Sequence, residues 1–208
     1  MNQLPTLTNL EGFTLLSENM KTWHDATPQL FSVIDRTQPE TIIEVGSWIG
    51  YSAIKMAEYC EQKQMQTKIL CVDTWLGSLE FWCQYADKPQ WDLMLNQGYP
   101  QVYYQFLSNV IHHGMQHRIT PLPMTSSIAA RYIQKAMPDT ICSMIYIDGS
   151  HEYEDVRADL KSYWPLLAVD GIMVGDDWNW LGVKQAVVEE FTSAAITVNG
   201  QVWDVQKI

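Results

Sequence analysis

Two acids and two glycines carry the first hint of chemistry. Glu44 precedes Gly46 and Gly50 in Thr41-Ile-Ile-Glu-Val-Gly-Ser-Trp-Ile-Gly50, and Asp73 ends a second apolar run, Ile69-Leu-Cys-Val-Asp73. An acid at the end of such a run can grip the hydroxyls of a ribose. Glycine lets backbone come close to a ligand, and an acid beside a glycine turn repels a pyrophosphate but holds an ammonium group. A second constellation lies downstream, in Ile147-Asp148-Gly149-Ser150-His151-Glu152-Tyr153 and Gly175-Asp176-Asp177-Trp178. Carboxylates at the ends of two neighbouring strands can converge on one hard cation with oxygen ligands, Mg²⁺ being the expected ion. Without a cation they would repel one another and have raised pKa values. An unperturbed imidazole such as His151 titrates near ~6.5 and can take a proton from a hydroxyl, a poor nucleophile until deprotonated or metal-bound.

The missing glycines narrow the ligand. A dinucleotide fingerprint counted from Gly46 needs glycine where Trp48 and Tyr51 stand, and there is no G-x-x-x-x-G-K-[ST] phosphate loop. An amino-acid head, a ribose and no phosphate describe S-adenosylmethionine.

These residues need strands and turns to position them. Thr27 and Pro28 suit the cap and first turn of a helix, and the pattern then predicts strand 41–45, a helix over about 51–63 and strand 68–73. A helix from about 101 to 114 leads to a short strand, Arg118–Leu122, made less regular by Pro121. Ser126 and Ser127 suit a cap for a helix to about Ala136. Strand Cys142–Asp148, a helix from about Glu152, strand Gly171–Asp176 and helix Val183–Phe191 follow. Asn199-Gly200 between two strand-like runs is a hairpin signal. Five βα units closed by an antiparallel hairpin differ from a dinucleotide-binding sheet, which continues with parallel strands.

The expected organisation is an N-terminal arm and cap helix over residues 1–37, then one domain over 38–208. An aromatic-rich insertion at about 77–100, punctuated by Pro89, Gly98 and Pro100, is expected to cover the ligand crevice. His24 is a candidate member of a cap over the cofactor, whereas His112, His113 and His117 read as solvated helix-end residues. Glu152, Glu154, Asp155 and Asp159 read as a solvated helix face.

The net charge of −11 argues against nucleic acid, whose binders present a basic face. The four cysteines form no C-x-x-C pair, so neither zinc nor a disulfide framework is indicated. No apolar stretch reaches membrane-spanning length and no signal-peptide pattern opens the sequence, so a cytoplasmic protein without a membrane partner is expected. A homo-oligomer is compatible with this composition.

Taken together, Glu44-x-Gly46-x-x-x-Gly50, Val72-Asp73-Thr74-Trp75, Ile147-Asp148-Gly149-x-His151-x-Tyr153 and Gly175-Asp176-Asp177-Trp178 resemble the class I S-adenosylmethionine-dependent methyltransferases. Within them the chain is similar to the metal-dependent group that includes macrolide-sugar O-methyltransferases and cephalosporin-hydroxylase-like proteins. The resemblance covers roughly residues 38–206 and implies an α/β, Rossmann-like sheet of seven strands, mostly parallel with an antiparallel C-terminal hairpin. It implies that Glu44, Gly46, Ser47 and Gly50 line the methionine end, with Ser52 nearby. Asp73 would bind the ribose, Thr74 and Trp75 would flank sugar and adenine, and Thr125 and Ser126 would sit near the adenine edge. Asp148 would border both cofactor and reaction centre, with Asp148, Asp176 and Asp177 as the metal ligands and His151 as the base. The implied activity is O-methyl transfer to a hydroxyl of a small-molecule acceptor, with a sugar as one candidate. Two readings of other classes stand beside it: a metal oxygenase of the cephalosporin-hydroxylase-like type, and a catalytically silent nucleoside-binding subunit.

Overall fold

The computed structural model describes residues 12–83, 92–192 and 195–208. The first eleven residues of the expected arm and residues 84–91 of the expected insertion therefore lie outside the described residues. Helix α1 (Thr27–Thr37) precedes strand β1 (Thr41–Val45), helix α2 (Tyr51–Gln62), strand β2 (Lys68–Asp73) and a short helix α3 (Leu79–Cys83). Helix α4 (Val102–His112), strand β3 (Ile119–Pro123), helix α5 (Ser126–Ala136) and strand β4 (Cys142–Ile147) follow. The chain then forms helix α6 (Tyr153–Tyr163), strand β5 (Leu167–Gly175), helix α7 (Leu181–Glu190) and the hairpin of β6 (Ile196–Asn199) and β7 (Val202–Gln206).

The seven strands form one sheet in the order β3-β2-β1-β4-β5-β7-β6. Strands β1 to β5 are parallel, and β7 runs antiparallel to both β5 and β6. A parallel sheet needs helices on both faces, and the strand residues divide accordingly. Ile42, Ile69, Met144 and Ile172 pack with α1, α2 and α4, whereas Ile43, Leu70, Ile145 and Met173 pack with α5, α6 and α7. Pro121 and Pro123 are tolerated because β3 is an edge strand paired on one side only. Order reverses between β1 and β4, which fixes the crevice at the carboxyl ends of these strands.

Three local details differ from the sequence reading. Thr27 begins α1 but does not cap it; Asp25 Oδ1 accepts from Thr27 N at 3.0 Å and from Thr27 Oγ1 at 2.6 Å, an arrangement invisible to periodicity. Helix α5 is capped by Thr125, whose Oγ1 accepts from Ile128 N at 3.4 Å, and Ser126 is its first residue. Strand β5 starts at Leu167 and not at Gly171, because its register against β4 shifts between Cys142 and Met144.

Residues 13–25 cross the outside of the α4 layer without regular structure. Buried polar groups of α4 hold this segment: Ser108 Oγ accepts from Leu16 N at 2.9 Å, and Asn109 Oδ1 accepts from Asn19 N at 3.0 Å. Asn109 Nδ2 also donates to Ile49 O at 2.8 Å, so one side chain joins the segment to the glycine turn after β1. His112 and His113 belong to the same anchorage, through Leu16 O and Glu18, and are not merely solvated.

Candidate active site

The carboxyl ends of β2, β1, β4 and β5 lie side by side, and hydrogen bonds between neighbours set their levels. Gly46 N donates to Val72 O at 2.9 Å, Asp148 N to Val45 O at 2.8 Å and Asp176 N to Ile147 O at 3.2 Å. Asp73, Gly46, Asp148 and Asp176 thus stand in one row along a cavity of about 760 Å³. Gly46 has φ of +87°, and a Cβ there would stand 2.0 Å from the Asp148 carbonyl oxygen, so only glycine lets the two strand ends approach. Gly50, with φ of +89°, turns the chain into α2 under the Phe106 ring.

Glu44 is fully buried on β1. Its Oε2 accepts from the Ser47 hydroxyl and its Oε1 from Ser52 Oγ at 2.6 Å. Burial pushes its carboxyl up to about 7, against the pull of the two serine hydroxyls, and the Asp73 charge adds to the rise. Asp73 is held by three backbone N–H groups, from Ser47 at 3.0 Å, Trp48 at 2.9 Å and Trp75 at 2.7 Å. Burial raises its pKa while these donors lower it.

Trp75 lines the cavity beside Thr74, and most of its side chain is buried behind that wall. Its ring is 2% exposed and packs against Tyr103 and Phe106, with centroids 4.9 Å apart in each case. Its indole N–H donates to Trp48 O at 2.7 Å. Trp75 therefore stiffens the loop that presents Asp73, and an aromatic residue after a strand gave no sign of which way it would turn. Thr74 Oγ1 accepts from Leu76 N at 3.2 Å in the same turn. Thr125 and Ser126 line the cavity at its α5 end.

At the opposite end Asp148, Asp176 and Asp177 share a wall, but each is engaged separately. Tyr146 OH donates to Asp148 Oδ2 at 2.9 Å, His24 Nδ1 meets Asp176 Oδ2 at 2.7 Å, and His151 Nε2 meets Asp177 Oδ2 at 2.7 Å. Among the described residues no group of three His, Cys, Asp or Glu side chains is placed to hold a metal ion. The donor chemistry suits Mg²⁺, and in this arrangement one oxygen each of Asp176 and Asp177 faces an imidazole. The expected mutual repulsion is present: burial, then Asp176 and Asp177, push the Asp148 carboxyl well above the usual carboxylate range.

His151 differs from the free imidazole of the sequence reading. Its Nδ1 lies 2.8 Å from both carboxylate oxygens of Glu80 on α3, and its ring stacks on Trp180 with centroids 4.4 Å apart. Burial opposes its charge, but Asp177 and Glu80 outweigh burial and push it up to about 9. Both ring nitrogens thus face carboxylates, and at neutral pH the ring is protonated.

Several lining residues escaped the sequence reading. Glu80 lies in the aromatic stretch whose role over the crevice was expected, but its own role was not. Trp23 stacks on Trp48 at 3.9 Å and meets Phe81 at 5.7 Å, and the three rings line the cavity with His24. Asp155 and Asp159 line the cavity and are not simply a solvated helix face. The spacing of Asp159 next to Leu160 and three residues after Val156, both buried, was the available signal.

Comparison with known proteins fits this geometry. A family described as a methyltransferase domain matches residues 43–178, which spans both acidic constellations. The chain belongs to that methyltransferase domain family. Its fold is similar to that of CalS11, a calicheamicin methyltransferase, at 16% identity and a TM-score of 0.63, covering 87% of this chain and 77% of that one. It is also similar to an O-methyltransferase from Bacillus cereus crystallised with SAH, at 14% identity and a TM-score of 0.57, covering 89% and 84% of the two chains. An uncharacterized protein, y4gI of Sinorhizobium fredii, is 20% identical over 145 residues, 70% of this chain but 14% of its own length. Among the described residues no helix is long and apolar enough to cross a membrane.

Proposed function

We propose that this methyltransferase-family chain uses S-adenosylmethionine to methylate a hydroxyl of a small molecule. One observation carries the reading: a fully buried carboxyl, Glu44, holds Ser47 and Ser52, which line the same cavity as the backbone-clamped Asp73, and among the described residues no lysine or arginine pairs with it. That pair suits an ammonium and a ribose. The described lining contains no arginine and one lysine, Lys21, whose Nζ is 2.6 Å from Asp92 Oδ1. A pyrophosphate would find no basic partner there.

Glu44, Ser47 and Ser52 would hold the amino-acid end, Gly46 and Gly50 would let backbone reach it, and Asp73 would take the ribose hydroxyls. S-adenosylmethionine, when bound, supplies an electrophilic methyl group. The chain's own contribution is to position the acceptor and receive its proton. Asp148 is the better placed proton acceptor, because both nitrogens of His151 are occupied by Glu80 and Asp177. His151 then orients Asp177 and ties α3 to the wall. Trp23 and Phe81 add an aromatic wall to the cavity, which would limit water around the acceptor and favour in-line geometry. A metal-oxygenase reading would need the acids that His24 and His151 occupy.

Calorimetry with S-adenosylhomocysteine and with NAD tests the cofactor, and transfer of labelled methyl to a panel of neutral glycosides and phenols tests the reaction. Saturable binding of the first nucleoside alone is expected. Micromolar NAD binding at this cavity, or no binding of S-adenosylhomocysteine, overturns the reading.

A further inference from the structure

The cofactor reading uses the Asp73 and Gly46 half of the row of strand ends and leaves the Asp148 and Asp176 half to the acceptor. Trp180 and Gln201 line the cavity there and have no part in holding the cofactor. The indole of Trp180 lies with one face on the His151 ring, with centroids 4.4 Å and planes 18° apart, and the residue is 39% exposed. Among the described residues no second ring stacks on it.

This indole is placed by backbone contacts. Trp180 is the N-cap of α7, and its N–H donates to Asp177 O at 2.8 Å. A Cβ on Gly182 would stand 2.4 Å from His151 O, so the start of α7 is pressed against the loop that carries His151. Trp178 N donates to Gln201 O at 2.9 Å, which ties the same stretch to the turn between β6 and β7. A flat apolar surface thus stands ready beside the reacting acids, and rings pack on such surfaces in offset or tilted stacks. Gln201 brings an amide to the same end, a donor and acceptor suited to a hydroxyl.

The same half of the cavity selects by charge. Three carboxylates, Glu80, Asp176 and Asp177, face two imidazoles, His24 and His151, so a negative balance remains even with both rings protonated. The one lysine of the described lining, Lys21, is paired with Asp92. A phosphate is held by arginine or lysine; here it would meet like charge, which discriminates against an anion as firmly as a good contact favours a neutral ligand.

We infer that Trp180 is the acceptor platform and that the acceptor is an uncharged, ring-bearing alcohol, a glycoside or a phenol, with phosphorylated acceptors such as sugar nucleotides and coenzyme A thioesters refused. The inference rests on the S-adenosylmethionine reading and names the substrate class of the same site. Calorimetry on the chain loaded with S-adenosylhomocysteine tests it, with aryl glycosides, phenols and their phosphate monoesters, in chelator and again in Mg²⁺. Uncharged members should bind at least ~10-fold more tightly than their phosphates in both buffers, and the glycoside and phenol arms show which ring the platform takes. Trp180→Ala should weaken the best uncharged member about 2- to 10-fold, the span of one aromatic stack. Trp180→Phe should keep most of the affinity, and both variants should bind S-adenosylhomocysteine as the wild type does. A phosphate monoester that binds as well as its parent in either buffer overturns the charge selection. Unchanged affinity in Trp180→Ala, or an equal loss for S-adenosylhomocysteine, overturns the platform. Binding of S-adenosylhomocysteine with no panel member bound overturns the acceptor class alone, whereas no binding of S-adenosylhomocysteine overturns the cofactor reading beneath it. The wild-type ratios keep the test decisive if a variant does not fold.

Discussion

Replacing Glu44 with glutamine should make the ligand-free protein more stable and the ligand-bound one weaker, and the size of the first effect follows from burial. Burial holds the Glu44 carboxyl at about 7 instead of 4.5. The folded state therefore binds this proton more tightly than the unfolded state. Stability is unaffected by Glu44 below the unfolded value, falls as pH rises from about 4.5 to 7, and stays low above that. At 1.36 kcal/mol per pKa unit, the destabilisation approaches about 3 kcal/mol above neutrality. Glutamine does not titrate, so Glu44→Gln should match the wild type near pH 4 and exceed it at pH 8. For a chain of this length that gap is roughly 6–12 °C in melting temperature. Asp73, Asp148 and Asp159 are raised as well and tilt both proteins the same way, so the difference between the two curves isolates Glu44. The same variant should bind S-adenosylhomocysteine at least tenfold more weakly, because a charged partner of the ammonium has gone. Thermal melts from pH 4 to 8 and calorimetry at pH 8 provide both readouts. A melting difference that does not grow with pH, or wild-type affinity in Glu44→Gln, would refute the assignment of Glu44 to an ammonium.

Four further outcomes are expected. Asp73→Ala should weaken S-adenosylhomocysteine by on the order of 1.5–3 kcal/mol in calorimetry, the range for a hydrogen bond to a charged group. Gly46→Ala should lower the melting temperature far more than Gly98→Ala: both glycines have positive φ, but only the first would push a Cβ to 2.0 Å from backbone, and equal losses would contradict the close approach. Glu80→Gln should bring the His151 pKa down from about 9 in an NMR titration of the imidazole, since one of its two carboxylate partners loses its charge, and an unmoved value would deny the contact. With His24 and His151 on Asp176 and Asp177, Mg²⁺ alone should give no saturable heat below millimolar concentration, whereas micromolar binding would show that the cation displaces both imidazoles.

The fold was legible because each local signal agreed with the global one. Strand β1 is a run of buried residues bounded by a helix end and a glycine turn, and Asn199-Gly200 set up the antiparallel end of the sheet. The start of β5 was not legible. A bulge against β4 depends on which strand lies alongside, and Asp170, with φ of +64°, reads equally well as a turn.

The site was legible where chemistry sits at strand ends and illegible where separate segments meet. Asp73, Asp148 and Asp176 are fixed by a topology that repetitive patterning reveals, so their convergence on one crevice follows from strand order alone, with Glu44 buried on β1 behind the turn residues Ser47 and Ser52. His24, Glu80 and Trp180 reach the same cavity from three elements with no common period. The consequence concerns His151 most directly. Three residues past a strand-end acid, its position was readable from Ile147-Asp148-Gly149-Ser150-His151, but its protonation state was not. The protonation state is set by Glu80, which lies 71 residues away in the chain, and by Asp177. A carboxylate on each ring nitrogen turns a candidate base into a charged strut, and the acid left facing the acceptor is Asp148. Comparing Asp148→Asn with His151→Ala therefore distinguishes the two roles. If Asp148 receives the proton, its asparagine variant should lose ~10²–10⁴-fold in kcat with S-adenosylhomocysteine affinity kept. His151→Ala should lose less and should also loosen α3, read as faster hydrogen exchange over residues 79–83. A larger kcat loss in His151→Ala than in Asp148→Asn, with α3 exchange unchanged, would return the base to His151.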